Sequence, residues 1–144
     1  TRKELNERER QKEAELEAKQ LELTRTVLVN RGWEALADFR NSKGEGFDGV
    51  YTQVLGGQKL VLITGNNPIN GYGVQLTFNK DGDMQFSTPW MMKQLKKLPA
   101  ASPARQAIEW ALAQPDAIRT AVAGVDVLDK EFRLIMIDGN QTEA

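Results

Sequence analysis

Cysteine and histidine are both missing from the 144 residues. Their absence removes disulfide staples, zinc fingers, cysteine–histidine nucleophiles, histidine general bases and histidine-held haem. Any catalysis must use carboxylates, lysines, hydroxyls, amides or a bound cation, and a hard oxygen-ligated ion such as magnesium stays compatible. Long apolar runs are missing too. None approaches the roughly eighteen residues that cross a bilayer, so no membrane insertion is expected. Charge of one sign is also lacking: 19 basic against 20 acidic residues leave a formal net charge of -1. Nucleic acid would therefore need a local basic patch to be held.

What is present divides at about residue 25. Residues 1–25 are dense in Glu, Lys, Arg, Leu and Ala, good helix formers with sparse apolar positions and no sustained heptad. Glu15 and Lys19 stand at an i,i+4 spacing that supports a solvated helix. This segment reads as a charged helical arm or linker, or as a partner-facing helix. Residues 26–144 have the length of one domain with a single core.

Within that domain, Val27 to Arg40 has an apolar helical face, interrupted by Gly32. Phe47 to Val54 and Lys59 to Thr64 read as strands joined by Gly56-Gly57, the second one apolar at successive positions like a strand covered on both faces. Gly73–Phe78 and Met84–Phe86 suggest a hairpin. Thr88-Pro89 opens a helix with proline at its first position, Ala104 to Ala113 is a second, and Pro115 starts a short third that ends near Gly124. Glu131 to Asp138 is the closing strand. The order points to an α/β or α+β fold, a small central mixed sheet flanked by helices and preceded by the charged arm.

The stretch Gly46-Phe47-Asp48-Gly49-Val50-Tyr51 places one carboxylate where the first strand begins. Asp before Gly at a strand edge is commonly a turn residue satisfied by nearby backbone. As one half of a cation site, it would need a second carboxylate close by, with a lysine to orient water at a phosphate.

Together with the apolar strand that follows, and with Lys80–Leu95 (KDGDMQFSTPWMMKQL), this stretch resembles the nuclease domains of bacterial polymorphic toxins. Those belong to the PD-(D/E)XK, or restriction-endonuclease-like, superfamily. Residues 28–98 carry the resemblance. It implies a restriction-endonuclease-like fold and metal-dependent phosphodiester cleavage of DNA or RNA with magnesium or manganese. It also implies delivery into a target cell and a cognate immunity or inhibitor protein as partner. Carried over by residue, Asp48 is the metal-binding aspartate, and Glu34 resembles the helix-borne glutamate beside the metal. Gln85 matches a later polar position, orienting water or phosphate. The E-x-K pair of the next strand is replaced, with Thr64 standing for the acid and Asn66 for the lysine.

Three outcomes follow from that replacement. The site has moved, with Glu34, Glu45 or Asp81 as second carboxylate and Lys59 or Lys80 as base; or the scaffold has become an inactive protein-binding or adaptor module; or Asp48 and Glu34 run other carboxylate chemistry as an acid–base pair. With Glu34 as the second carboxylate, it and Asp48 are expected to lie about 4 Å apart or to share one water.

Other features have two readings each. Lys93, Lys96, Lys97 and Arg105 form a phosphate-contacting patch or simply suit a helix C-terminus; Asn66, Lys96 and Lys97 are the candidate substrate-binding residues. The loop from Gly65 to Gly73 is an anion-binding nest or a plain connection. Trp33, Trp90 and Trp110 are expected in the core.

Overall fold

The computed structural model describes residues 1–38, 48–71, 73–114 and 116–137, apart from the side chains of residues 13, 14, 17, 37 and 38. Thr1 caps the first helix, its hydroxyl accepting from the N–H of Glu4 at 3.4 Å. That helix, α1 (Arg2–Asn30), runs without a break through residue 25. Residues 1–12 are exposed throughout, whereas Leu21, Thr24 and Leu28 recur at helical spacing and are buried. The second half of α1 is seated on the domain.

Gly32 ends the helix. Its φ of 92° is the left-handed conformation that glycine adopts freely. Here it lets the N–H of Trp33 reach the carbonyl of Leu28 at 3.0 Å and its own N–H reach Val29, the paired bonds of a Schellman closure. The helix expected over Val27–Arg40 therefore stops at Asn30, and Glu34–Asp38 is strand β1. The glycine that interrupts the apolar pattern is the stop signal.

β1 pairs antiparallel with β2 (Gly49–Leu55), and β2 pairs antiparallel with β3 (Gln58–Asn66). A short antiparallel pair follows, β4 (Ile69–Asn70) with β5 (Gly73–Val74). Helices α2 (Thr88–Leu95) and α3 (Pro103–Leu112) then carry the chain to β6 (Ile118–Val125), which lies parallel to β3, and β7 (Phe132–Ile137) closes antiparallel on β6. The main sheet has the order β1-β2-β3-β6-β7. It is a mixed sheet flanked by helices, as the sequence suggests.

Alternation along the strands divides the core into two layers. Val50, Val61, Ile63 and Val122 face α2 and α3, packing with Trp90, Leu95, Ala104 and Ile108. Tyr51, Leu62 and Ala121 face Leu28 of α1. β3 is buried from Leu60 to Gly65, so the expectation of a strand covered on both faces holds.

Other expectations need correction. The segment after Pro115 is a strand, not a short helix. Its alanines favour a helix locally, but Ile118–Val125 sits between β3 and β7 and satisfies its backbone through both. The expected hairpin from Gly73 to Phe86 reduces to one bridge between Phe78 and Met84. Trp90 is buried, but Trp33 is only half-buried and Trp110 is 38% exposed, with Lys59 Nζ 5.2 Å above its ring.

Candidate functional site

Asp48 stands immediately before β2 and is buried, 3% exposed. Its N–H donates to the carbonyl of Thr64 at 3.0 Å, and its Oδ2 accepts from the main-chain N–H of Asn66 at 2.7 Å. The carboxylate thus ties the start of β2 to the end of β3. The register, with Gly49 opposite Thr64, puts Thr64 and Asn66 beside the aspartate. Neither of these side chains carries a charge.

Glu34 lies elsewhere. It is an exposed strand residue opposite Thr52, four positions along β2 from Asp48. At about 3.3 Å per residue that separates the two by roughly 13 Å. The expected approach to about 4 Å is not met, because β1 runs antiparallel to β2 and carries Glu34 to its far end. Two other candidates for a displaced site have their own settings. Lys59 pairs with Val54 at the other end of β3, and Asp81 bonds Lys93 at 2.7 Å. Glu45 falls outside the described residues. Among the described residues, no group of three or more acidic side chains could hold a metal ion.

Among the described residues, the donor set around Asp48 does not fit magnesium or manganese. One carboxylate oxygen is engaged by a backbone amide, and the flanking Thr64 and Asn66 are neutral. Magnesium holds its water and needs charge to be retained. No step through a metal is derived from these residues.

Gln85 is also committed. Its Nε2 donates to Asn67 Oδ1 at 3.1 Å, and Asn67 Nδ2 donates back to Gln85 Oε1 at 2.7 Å. Oε1 accepts in addition from the N–H and hydroxyl of Thr77, at 3.2 and 3.3 Å. Asn67 Nδ2 also reaches the carbonyl of Gln75 at 2.8 Å. Gly65 makes this approach feasible: a Cβ there would stand 2.5 Å from Gln85 Nε2 and 3.1 Å from Phe86 Cζ. Phe86 itself takes a φ of 71°, packs edge-on against Trp90, and turns the chain into α2. A glutamine held on every side in this way is an internal fastener. Its acceptor oxygen already takes three donors, and the residue is buried.

The basic cluster is partly spent. Lys93 bonds both Asp81 and Asp83, which raises its pKa; Lys93, followed by the Asn79 amide, holds Asp83 below the usual carboxylate range. Arg105 bonds Glu109 and the carbonyl of Leu98, both at 2.7 Å. Lys96 and Lys97 are exposed at the end of α2, away from the cavity at Asn66. As for the loop, the N–H groups of Asn66 and Asn67 are taken by Asp48 and by the carbonyl of Ala123. Those donors do not form an open nest.

Asn66 is the candidate whose surroundings stay open. It lines a cavity of about 440 Å³ at the C-terminal ends of the parallel strands β3 and β6, closed on one side by Leu16 of α1. Its side-chain oxygen and nitrogen are both buried and have no hydrogen-bond partner among the described residues. Beside the cavity, Asp126 is buried and accepts from the N–H of Leu128 at 2.8 Å and from Arg133 at 3.0 Å. The Leu128 amide, then Arg133, hold its carboxyl below the usual range, against the opposing effect of burial. Sequence reasoning missed Asp126, Thr77 and Asn67 as members of this region. The only signal was the asparagine-rich loop that contains Asn67.

No family model, no curated protein and no solved structure matches this chain. Among the described residues no helix is long and apolar enough to cross a membrane.

Proposed function

We propose that the chain carries a restriction-endonuclease-like scaffold of the toxin-effector type whose phosphodiester-cleaving centre has given way to neutral polar fasteners, and that it works as a protein-binding module. The observation that carries this reading is the pairing of Asp48 with the backbone of Asn66, at the place where the resembled family would put charged groups. The side chains at that place, Thr64 and Asn66, offer no charge to a cation or to a scissile phosphate. A binding role is supported by apolar side chains left on the surface of the β6–β7 turn. Val127, which lines the cavity at Asn66, is half exposed, and its neighbour Leu128 is 72% exposed. Adjacent exposed apolar side chains give a partner surface something to cover. The partner that fits the resemblance is an immunity or inhibitor protein.

The second reading, metal-dependent cleavage of DNA or RNA, draws on the burial of Asp48 at the start of β2. One experiment separates them. Supercoiled plasmid and a structured RNA are incubated with the chain and magnesium or manganese, beside an Asp48→Ala control. The binding reading expects both substrates intact with either ion. Cleavage by the unmodified chain that disappears in the control would establish the nuclease instead.

A further inference from the structure

Residues 1–12 of α1 are exposed throughout. A helical segment of about a dozen residues is marginal in water when nothing packs on it. Three leucines of α1 nevertheless stand in a line. Leu5, Leu16 and Leu23 are 58%, 50% and 37% exposed. Their spacings of eleven and seven residues are close to three turns and two turns of helix. The buried face of α1, marked by Leu21, Thr24 and Leu28, lies about a third of a turn round from them. Glu9, Lys12 and Lys19, all exposed, complete the same stripe in alternating steps of four and three. Leucine and charge thus share one face, so the stripe is not a continuous apolar seam. Charge is also segregated along the helix. Residues 2–12 hold five basic and three acidic side chains, and residues 13–25 hold two basic and four acidic, so the halves carry +2 and -2.

We propose that α1 pairs antiparallel with α1 of a second copy of this chain, through this stripe and about a two-fold axis. The register sets Leu5 against the partner's Leu23 and Glu9 against the partner's Lys19, and the symmetry repeats each contact. Lys12 falls opposite the partner's Leu16, which its aliphatic stem covers while its ammonium stays in water. The basic half of each helix lies along the acidic half of the other. A parallel pair in register does the reverse: it brings Glu9 to Glu9, Lys12 to Lys12 and Lys19 to Lys19, with like halves side by side. The stripe is therefore complementary to itself in one direction, and that self-complementarity selects a second copy as the occupant. The pairing uses none of the residues around Asp48 and stands whether or not the chain cleaves nucleic acid.

Sedimentation velocity of the full chain, from micromolar to millimolar concentration at low salt, is expected to show a monomer–dimer equilibrium that weakens as salt is added. Lys19→Glu creates two like-charged contacts and should weaken the dimer at least about tenfold, as should Glu9→Lys. Both changes in one chain keep the net charge and restore opposite signs, so affinity should return to within about threefold of the unmodified chain. Direction is read by crosslinking, because the chain has no cysteine of its own. A mixture of Leu5→Cys and Leu23→Cys chains should form the mixed disulfide under mild oxidation, and either chain alone should form little. A monomer at every concentration, single charge changes without effect, a double change as weak as the singles, or disulfides formed chiefly between like chains would each overturn the proposal.

Discussion

The side-chain amides of Asn67 and Gln85, eighteen residues apart, donate to each other at 2.7 and 3.1 Å and are both buried. This reciprocal pair fixes the end of β3 against the segment that leads into α2, with Thr77 as a third member. Removing either partner leaves the other unsatisfied, so their losses cannot add. A double-mutant cycle of Asn67→Ala and Gln85→Ala, read by urea unfolding, should show coupling of about 1–3 kcal/mol. Additive losses would mean that the two amides do not hold each other.

Asp48→Ala exposes the same logic for a charge. The N–H of Asn66 loses its acceptor in a buried place. The expected cost is about 1.5–3 kcal/mol of folding stability, with Asp48→Asn milder because it keeps an oxygen at the same position. Denaturant midpoints of the two variants check this. An Asp48→Ala protein as stable as the unmodified chain would remove the structural role assigned here.

Asn66→Leu should behave in the opposite way. It replaces an amide with no partner among the described residues by an apolar group of similar size beside apolar walls. Stability should stay level or rise by about 1 kcal/mol, since an unsatisfied buried group is removed and no bond to a described residue is lost. Thermal unfolding measures it. A clear loss would show that the amide is held by something in the folded protein.

Acid should unfold the protein partly through Asp126. Its pKa is depressed in the fold by the Leu128 amide and Arg133, from an ordinary value of 3.8. The unfolded chain therefore takes up the proton first as pH falls. Stability from this group is fully present above about pH 4 and is lost as pH drops through the folded value. Asp83, bonded to Lys93 and Asn79, adds to the same limb. Unfolding free energy followed against pH should show a shallower acid slope in Asp126→Asn. An unchanged slope would place the acid sensitivity elsewhere.

Much of the sheet was legible because its signals are local. Gly56-Gly57 marked the β2–β3 turn, the unbroken apolar run marked β3 as interior, and Thr88-Pro89 marked the start of α2. What escaped was decided by partners distant in sequence. The alanines of Ile118–Val125 read as helix until β3 and β7 lie alongside. Glu34 read as helical because the weight of Gly32 as a terminator depends on its positive φ, which a sequence only hints at. The sequence singled out Asp48, Thr64 and Asn66, and the fold brings the three together where β2 starts and β3 ends. The commitments of Gln85 and Asp126 were not legible, since hydrogen-bond partners eighteen or seven residues away leave no periodic trace.

The parallel junction of β3 with β6 has a kinetic meaning. β2 with β3 and β6 with β7 are built from chain neighbours, whereas Val61 meets Ile118 only after the whole α2–α3 passage has folded back. Closing so long a loop is the slow part of assembling such a sheet. The two halves of the sheet are therefore expected to form early and separately, and the seam between them sets the pace at which the cavity and its walls come into being.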